Sequence, residues 1–114
     1  MAVPTVTRYQ GAVGVSLSYA ATSTPALAAP EGLELNVVYA QLTGAMTINA
    51  TFPGLLQFQR VNFFFSTDGT QRIVTFGTGF VSSGTLTVPA NKDAIVSAIY
   101  DGTNLRITNR EIQA

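Results

Sequence analysis

The stretch RVNFFFSTDGTQRIVTFGTGF at residues 60–80 decides the fold class. Two runs of β-branched and aromatic residues flank Asp68-Gly69 there, and Asp-Gly between such runs is a strong signal for a tight β-hairpin. With Asp68 and Gly69 as the central turn residues, Phe65 faces Arg72, Phe63 faces Val74 and Val61 faces Phe76. All six share one side, because side chains alternate along a strand. The other side carries Asn62, Phe64, Ser66, Gln71, Ile73 and Thr75 and is polar apart from Phe64 opposite Ile73. The stretch therefore predicts a hairpin with one core face and one mostly polar face.

Alternation of the same kind recurs on both sides of this stretch. Val13, Val15, Leu17 and Tyr19 alternate with Gly14, Ser16 and Ser18, and Leu35, Val37 and Tyr39 alternate with Asn36, Val38 and Ala40. Met46, Ile48 and Ala50 share a face, and Phe52-Pro53-Gly54 reads as a turn. Near the C-terminus, Asp101-Gly102 suggests a second hairpin in which Val96, Ala98, Tyr100, Leu105 and Ile107 share a face. A four-residue loop, Asp101 to Asn104, keeps those faces because it moves the pairing by an even number. Eight strands are expected, at about 13–19, 35–42, 46–50, 60–66, 72–76, 84–88, 94–100 and 104–109. No window shows a helical i, i+3, i+4 stripe with caps. The expected fold is all-β, a two-sheet sandwich of jelly-roll type, with a six- or seven-stranded sandwich as the alternative.

The domain plan is an extended N-terminal arm at 1–12, one sandwich domain at 13–109 and a C-terminal tail at 110–114. Within the domain, the long loop 20–34 includes AATSTPALAAPEG, which has two prolines, small residues and neither β nor helical period. It is expected to be an ordered connection packed on the domain or on a neighbouring subunit, with disorder as the alternative.

Composition narrows the function. Six basic and six acidic residues cancel, and only 11% of the 114 residues are charged. A neutral chain lacks the cluster of Lys and Arg that phosphate neutralisation requires, so direct nucleic-acid binding is not expected. Absence of net charge also removes the self-repulsion that keeps copies apart, which suits assembly. With no cysteine and no histidine, the usual nucleophile–base pairs cannot be built, and thiolate and imidazole metal ligands are missing. Lys92 stands in a loop-like Ala90-Asn91-Lys92-Asp93 and reads as solvated. Glu31 and Glu34 have no base or nucleophile near them in sequence. Asp68 and Asp101 are accounted for as turn residues, which leaves calcium ligation without support. Gly77-Thr78-Gly79 has neither the helix nor the lysine of a phosphate loop. No enzyme, cofactor or metal site is expected. No stretch approaches the roughly 18 apolar residues of a membrane-spanning helix, and no basic flank followed by an apolar run opens the chain, so neither membrane association nor a signal peptide is expected.

Three motifs carry a resemblance. They are Leu42-Thr43-Gly44-Ala45-Met46-Thr47-Ile48-Asn49, then Thr67-Asp68-Gly69 with Arg72-Ile73-Val74-Thr75-Phe76-Gly77, and finally Tyr100-Asp101-Gly102-Thr103. Across residues 35–109 the chain resembles a β module of tailed-bacteriophage virion proteins, found in tail fibres, head fibres and capsid decoration (cement) proteins. Leu105 and Arg106 stand where that module often has an aromatic. The resemblance implies a structural role in the virion, on the capsid exterior after synthesis in the host cytoplasm, with no catalytic residues. The implied partners are the major capsid protein and the chain itself as a homo-oligomer, a trimer ahead of a dimer. The alternative is a receptor- or carbohydrate-binding module of a fibre or spike. Candidate partner contacts are Val3, Pro4, Val6, Arg8 and Tyr9 in the arm, Pro25, Leu27 and Pro30 in the long loop, and Phe64, Ile73, Ile95 and Ile99 on strand faces outside the core. A covering sheet or loop is the competing explanation for those last four.

Overall fold

A computed structural model describes residues 12–30, 33–81 and 84–113. These residues form β-strands and connections, with no α-helix among them. The strands are β1 (Ala12–Leu17), β2 (Thr22–Ser23), β3 (Ala26–Ala28), β4 (Glu34–Tyr39), β5 (Met46–Ile48), β6 (Thr51–Gly54), β7 (Arg60–Ser66), β8 (Arg72–Phe76), β9 (Phe80–Val81), β10 (Gly84–Val88), β11 (Asp93–Tyr100) and β12 (Leu105–Ile112).

The fold is all-β, but it is a β-solenoid and not a jelly-roll sandwich. From β1 to β8, successive strands do not fold back on each other as hairpins. The chain winds in coils, and each strand lies parallel to its counterpart one coil later. On the first face β1 pairs with β4 and β4 with β7; on the second β2 pairs with β5 and β5 with β8; on the third β3 pairs with β6. Backbone bonds stack the corners as well. The Asn49 amide donates to the Ser23 carbonyl, and the Gly77 amide donates to the Ile48 carbonyl, at 2.8 and 2.9 Å.

The last part of the chain reverses direction and ends the coiling. β10 lies antiparallel to β8, β11 lies antiparallel to β7, and β12 lies antiparallel to β11. The first face thus becomes a six-stranded sheet ordered β1-β4-β7-β11-β12-β9, and the second a four-stranded sheet ordered β10-β8-β5-β2.

The hairpin expected at Asp68-Gly69 is therefore a corner between two sheets. β7 pairs with β4 and β11, and β8 pairs with β5 and β10, so neither is the other's partner. Gly69 does not take the positive φ that a tight hairpin turn demands. Asp68 instead accepts from the Thr70 amide at 3.1 Å and from the Arg72 guanidinium at 2.8 and 3.1 Å, which bends the chain at a corner. The inward faces are nevertheless those that alternation gives: Val61, Phe63, Phe65, Val74 and Phe76 are all buried. In a solenoid both strands turn the same set of residues into the lumen, so a correct face does not identify the neighbour across it.

Phe52-Pro53-Gly54 is strand and not turn. A Cβ on Gly54 would lie 2.5 Å from Ala28 Cβ, so glycine here answers the close approach of β3 and β6. The second hairpin is real: β11 and β12 are joined by the four-residue loop, with Tyr100 opposite Leu105. A bulge between Ser97 and Ala98 leaves Thr108 as the extra residue, and beyond it Arg110 lies opposite Val96 on the lumen side. β12 runs on through Ile112, into the residues expected to form a tail.

The core lies in the lumen. Leu35, Val37, Tyr39, Met46, Ile48, Val61, Leu86 and Leu105 line it along with the residues above. Aromatic rings form its centre: Tyr39 stacks on Phe65 at 5.5 Å, and Phe80 meets Phe63 at 5.8 Å and Phe76 at 5.1 Å. At the C-terminal end the Arg110 guanidinium lies 5.5 Å from the Phe76 ring centre and donates to the Thr85 carbonyl, covering the aromatic cluster with a charge held in place.

Candidate binding surface

The outward face of the six-stranded sheet orders its side chains in rows, because partners in adjacent strands point the same way. One row reads Ser16, Val38, Phe64, Ile95, Glu111 across β1, β4, β7, β11 and β12. Its three central members are apolar, and Val38 is 40% exposed. A shallow hollow of about 300 Å³ lies beside this row, lined by Phe64, Ser66, Asp93, Ile95 and Gln113.

The neighbouring row is polar: Gly14, Asn36, Asn62, Ser97, Asn109. Asn62 is buried although it points outward, because its amide donates to the Asn36 Oδ1 at 2.9 Å and to the Glu34 carboxylate. These bonds fix the Asn62 side chain beside Phe64 and meet the requirement that a buried polar group be bonded. Apolar residues and oriented amides thus lie side by side on a rigid sheet.

The structure divides the contact residues expected from sequence. Phe64 and Ile95 are direct neighbours, and Ile99 lies on the same face of β11 opposite Arg60. Ile73 does not face Phe64. It is on the four-stranded sheet opposite Thr87 and is 43% exposed. Leu27 points into the lumen at 3% exposure, which removes it from the surface; Pro30 is exposed and Pro25 half-buried. Val3, Pro4, Val6, Arg8 and Tyr9 lie outside the described residues.

Two residues that the sequence reading passed over form a second exposed apolar point. Leu56 and Phe58, between β6 and β7, are 58% and 73% exposed. The loop holding them is tightly bonded. Gln59 is buried; its Oε1 accepts from the Leu56 amide at 2.7 Å and its Nε2 donates to the Leu33 carbonyl at 2.6 Å. The Phe58 amide donates to the Tyr100 carbonyl, and the Gln57 side chain donates to the Asp101 carbonyl. Phe58 has φ of 71°, in the left-handed region that is unfavourable for a residue with a bulky side chain. The only sequence signal was an apolar Leu-Leu-x-Phe outside any alternating run.

Among the described residues no three His, Cys, Asp or Glu side chains gather as a metal site. The acidic turn residues are committed to structure. Asp101 accepts from the Asn104 and Thr103 amides at 2.7 and 2.8 Å and from Arg106 at 2.7 Å, bonds that hold its carboxyl below the usual range. Asp68 is lowered in the same sense, chiefly by its hydrogen bonds from Arg72. Both carboxylates therefore favour the charged, acceptor-only state, which serves a turn and not proton transfer. No model of a known protein family matches this chain, and no curated protein matches it.

Proposed function

We propose that this chain is a structural virion protein that binds by surface contact alone, as a capsid decoration protein fastened non-covalently to the major capsid protein. The observation that carries the reading is the Val38–Phe64–Ile95 row. It is an apolar strip set beside fixed amides on a packed sheet, and among the described residues no acidic cluster able to hold a metal ion is found. Such a strip contributes by apolar burial, at about 25 cal/mol per Å², and many copies on a lattice add their contributions. The resemblance of residues 35–109 to virion β modules supports the same reading and supplies the location on the outside of the head.

The test is rebinding. Purified protein is added to expanded shells of the encoding virus from which decoration has been stripped, and bound protein is measured against input. Saturable, stoichiometric binding that Phe64→Lys abolishes, with the circular dichroism of the variant unchanged, is the expected result. Binding that is absent, or equal for wild type and variant, overturns the reading.

A second reading, a receptor- or carbohydrate-binding module, is favoured by Phe58. An exposed aromatic ring next in the chain to Gln57, whose side chain donates to the Asp101 carbonyl, is the kind of platform on which a sugar face stacks. A glycan array that gives signal for wild type and none for Phe58→Ala would select this reading over decoration.

A further inference from the structure

The two ends of the solenoid are finished differently. At the C-terminal end the outermost long strand, β12, carries Arg106, Arg110 and Glu111, and part of its edge is covered by β9. Charged side chains on an edge strand are a common protection against strand addition. At the N-terminal end the outermost strand is β1, whose second edge pairs with no strand among the described residues. The sequence from Ala12 to Pro30 contains no Asp, Glu, Lys or Arg, so the edges of β1, β2 and β3 all lack that protection. The lumen is also incompletely filled there. An apolar hollow of about 90 Å³ is lined by Val15, Leu17, Pro25, Leu27, Leu35 and Val37, and Val15 is 38% exposed although its neighbours across the sheet are buried.

We infer that this first coil is a self-association surface, on which a second copy of the chain is seated end to end through antiparallel pairing of β1 with β1. The sequence of β1 is self-complementary in one register. With a two-fold axis at Val15, Val15 faces its own counterpart and Val13 faces Leu17 of the second copy, while Gly14 faces Ser16. Opposed residues in antiparallel strands point to the same side, so Val13, Val15 and Leu17 of both strands stay on the lumen side and Gly14 and Ser16 stay outside. The two six-stranded sheets become one continuous sheet, and the apolar hollows close against each other. A head-to-tail contact would instead set the charged β12 edge against an uncharged apolar coil. A closed two-fold contact therefore fits the chemistry better, and it gives a dimer where the resemblance suggested a trimer.

The absence of cysteine makes the geometry directly testable. In the full-length chain, Val15→Cys places two thiols across the two-fold axis, at a separation within reach of a disulfide. Mild oxidation of Val15→Cys at micromolar concentration should give a covalent dimer in most of the protein, whereas Ile73→Cys on the second sheet should give little. Sedimentation of the wild type should show a dimer that Val15→Lys converts to monomer with unchanged circular dichroism. A wild type that sediments as a monomer, an oligomer unaffected by Val15→Lys, or equal cross-linking of the two cysteine variants overturns the inference. So does a monomeric wild type that dimerises only when residues 1–11 are deleted, since the occupant of the edge would then be the chain's own N-terminal segment.

Discussion

The hydroxyls of Ser23 and Tyr39 meet at 2.7 Å inside the solenoid, joining β2 on the second face to β4 on the first across the lumen. Burial pushes the Tyr39 phenol above its ordinary value, and the hydrogen bond with Ser23 offsets part of that rise. Replacing Tyr39 by Phe leaves the buried Ser23 hydroxyl without this partner, at a cost of about 1–3 kcal/mol. Ser23→Ala should cost a similar amount, and the double variant less than the sum of the two, because the second change no longer orphans a polar group. Urea unfolding of the four proteins measures the coupling. Because the folded phenol titrates above the unfolded one, its contribution is complete below pH 10 and is lost as pH rises through the folded value. Tyr39→Phe should flatten that alkaline loss.

Phe63 is fully buried, with Phe65 and Phe80 against it at 6.4 and 5.8 Å. Truncation to Ala removes both ring contacts, leaves a cavity in the lumen and should cost about 3–5 kcal/mol, a large part of the total stability of a small domain. A fall of the urea midpoint with unchanged slope is the expected reading.

Phe58 stands at φ of 71° with 73% of its surface in solvent, so the fold gains little from the ring while bearing the backbone strain. Phe58→Gly relieves a left-handed conformation that disfavours side chains by about 1–2 kcal/mol, part of which is offset by the entropy of glycine. The melting temperature should stay level or rise. A clear loss of stability would show that the ring supports the loop.

Gly79 has φ of 95°, and a Cβ there would lie 2.6 Å from the Ala50 carbonyl oxygen. Strain and overlap act together, because the obstacle is backbone and cannot rotate away. Gly79→Ala should destabilise by at least about 1–3 kcal/mol, and should do so more than Gly69→Ala, where a Cβ meets nothing within 4 Å. Thermal melts of the pair provide the comparison.

Asp68 and Asp101 hold their carboxyls below 3.8, the ordinary value, through bonds that exist only in the folded chain. A lowered folded pKa contributes stability that is present above the unfolded value and disappears as pH falls through the folded one. Stability should therefore decline below about pH 4. The Asp68→Asn, Asp101→Asn double variant should show a shallower decline, measured by urea midpoints between pH 2 and pH 5.

Sequence alternation located most of the longer strands and nearly all the inward side chains, because burial on one face leaves a period of two whatever the topology. It did not reveal the coils. Stacked positions such as Val13, Leu35 and Val61, or Thr22, Thr47 and Thr75, are separated by unequal stretches of chain, so no fixed repeat marks them. Asp-Gly at 68–69 and at 101–102 look alike in sequence; only the second closes a hairpin, and the difference lies in which strands arrive to pair. The short strands β2 and β3 lie in the loop-like 20–32 stretch, where two or three residues are too few to display a period. At the candidate surface, Phe64 and Ile95 were legible as apolar residues on outward faces. Val38, the neighbour of Phe64 on its other side, was hidden as one outward apolar residue in a strand already assigned to the core.

Parallel stacking also shapes how this chain reaches its fold. Each strand of the first face pairs with one from the adjacent coil, so β4 and β7 meet only after a whole coil has been laid down between them. Contacts of such sequence separation carry a large loop-closure cost before they return any stabilisation, and chains dominated by them fold slowly. The hairpin of β11 and β12 is the most local pairing: its strands are neighbours in sequence, and the Asp101 loop that joins them is bonded to itself. Closing this hairpin first costs the chain least, and a chain that does so assembles its coils from there toward the N-terminus, with β1 docking last.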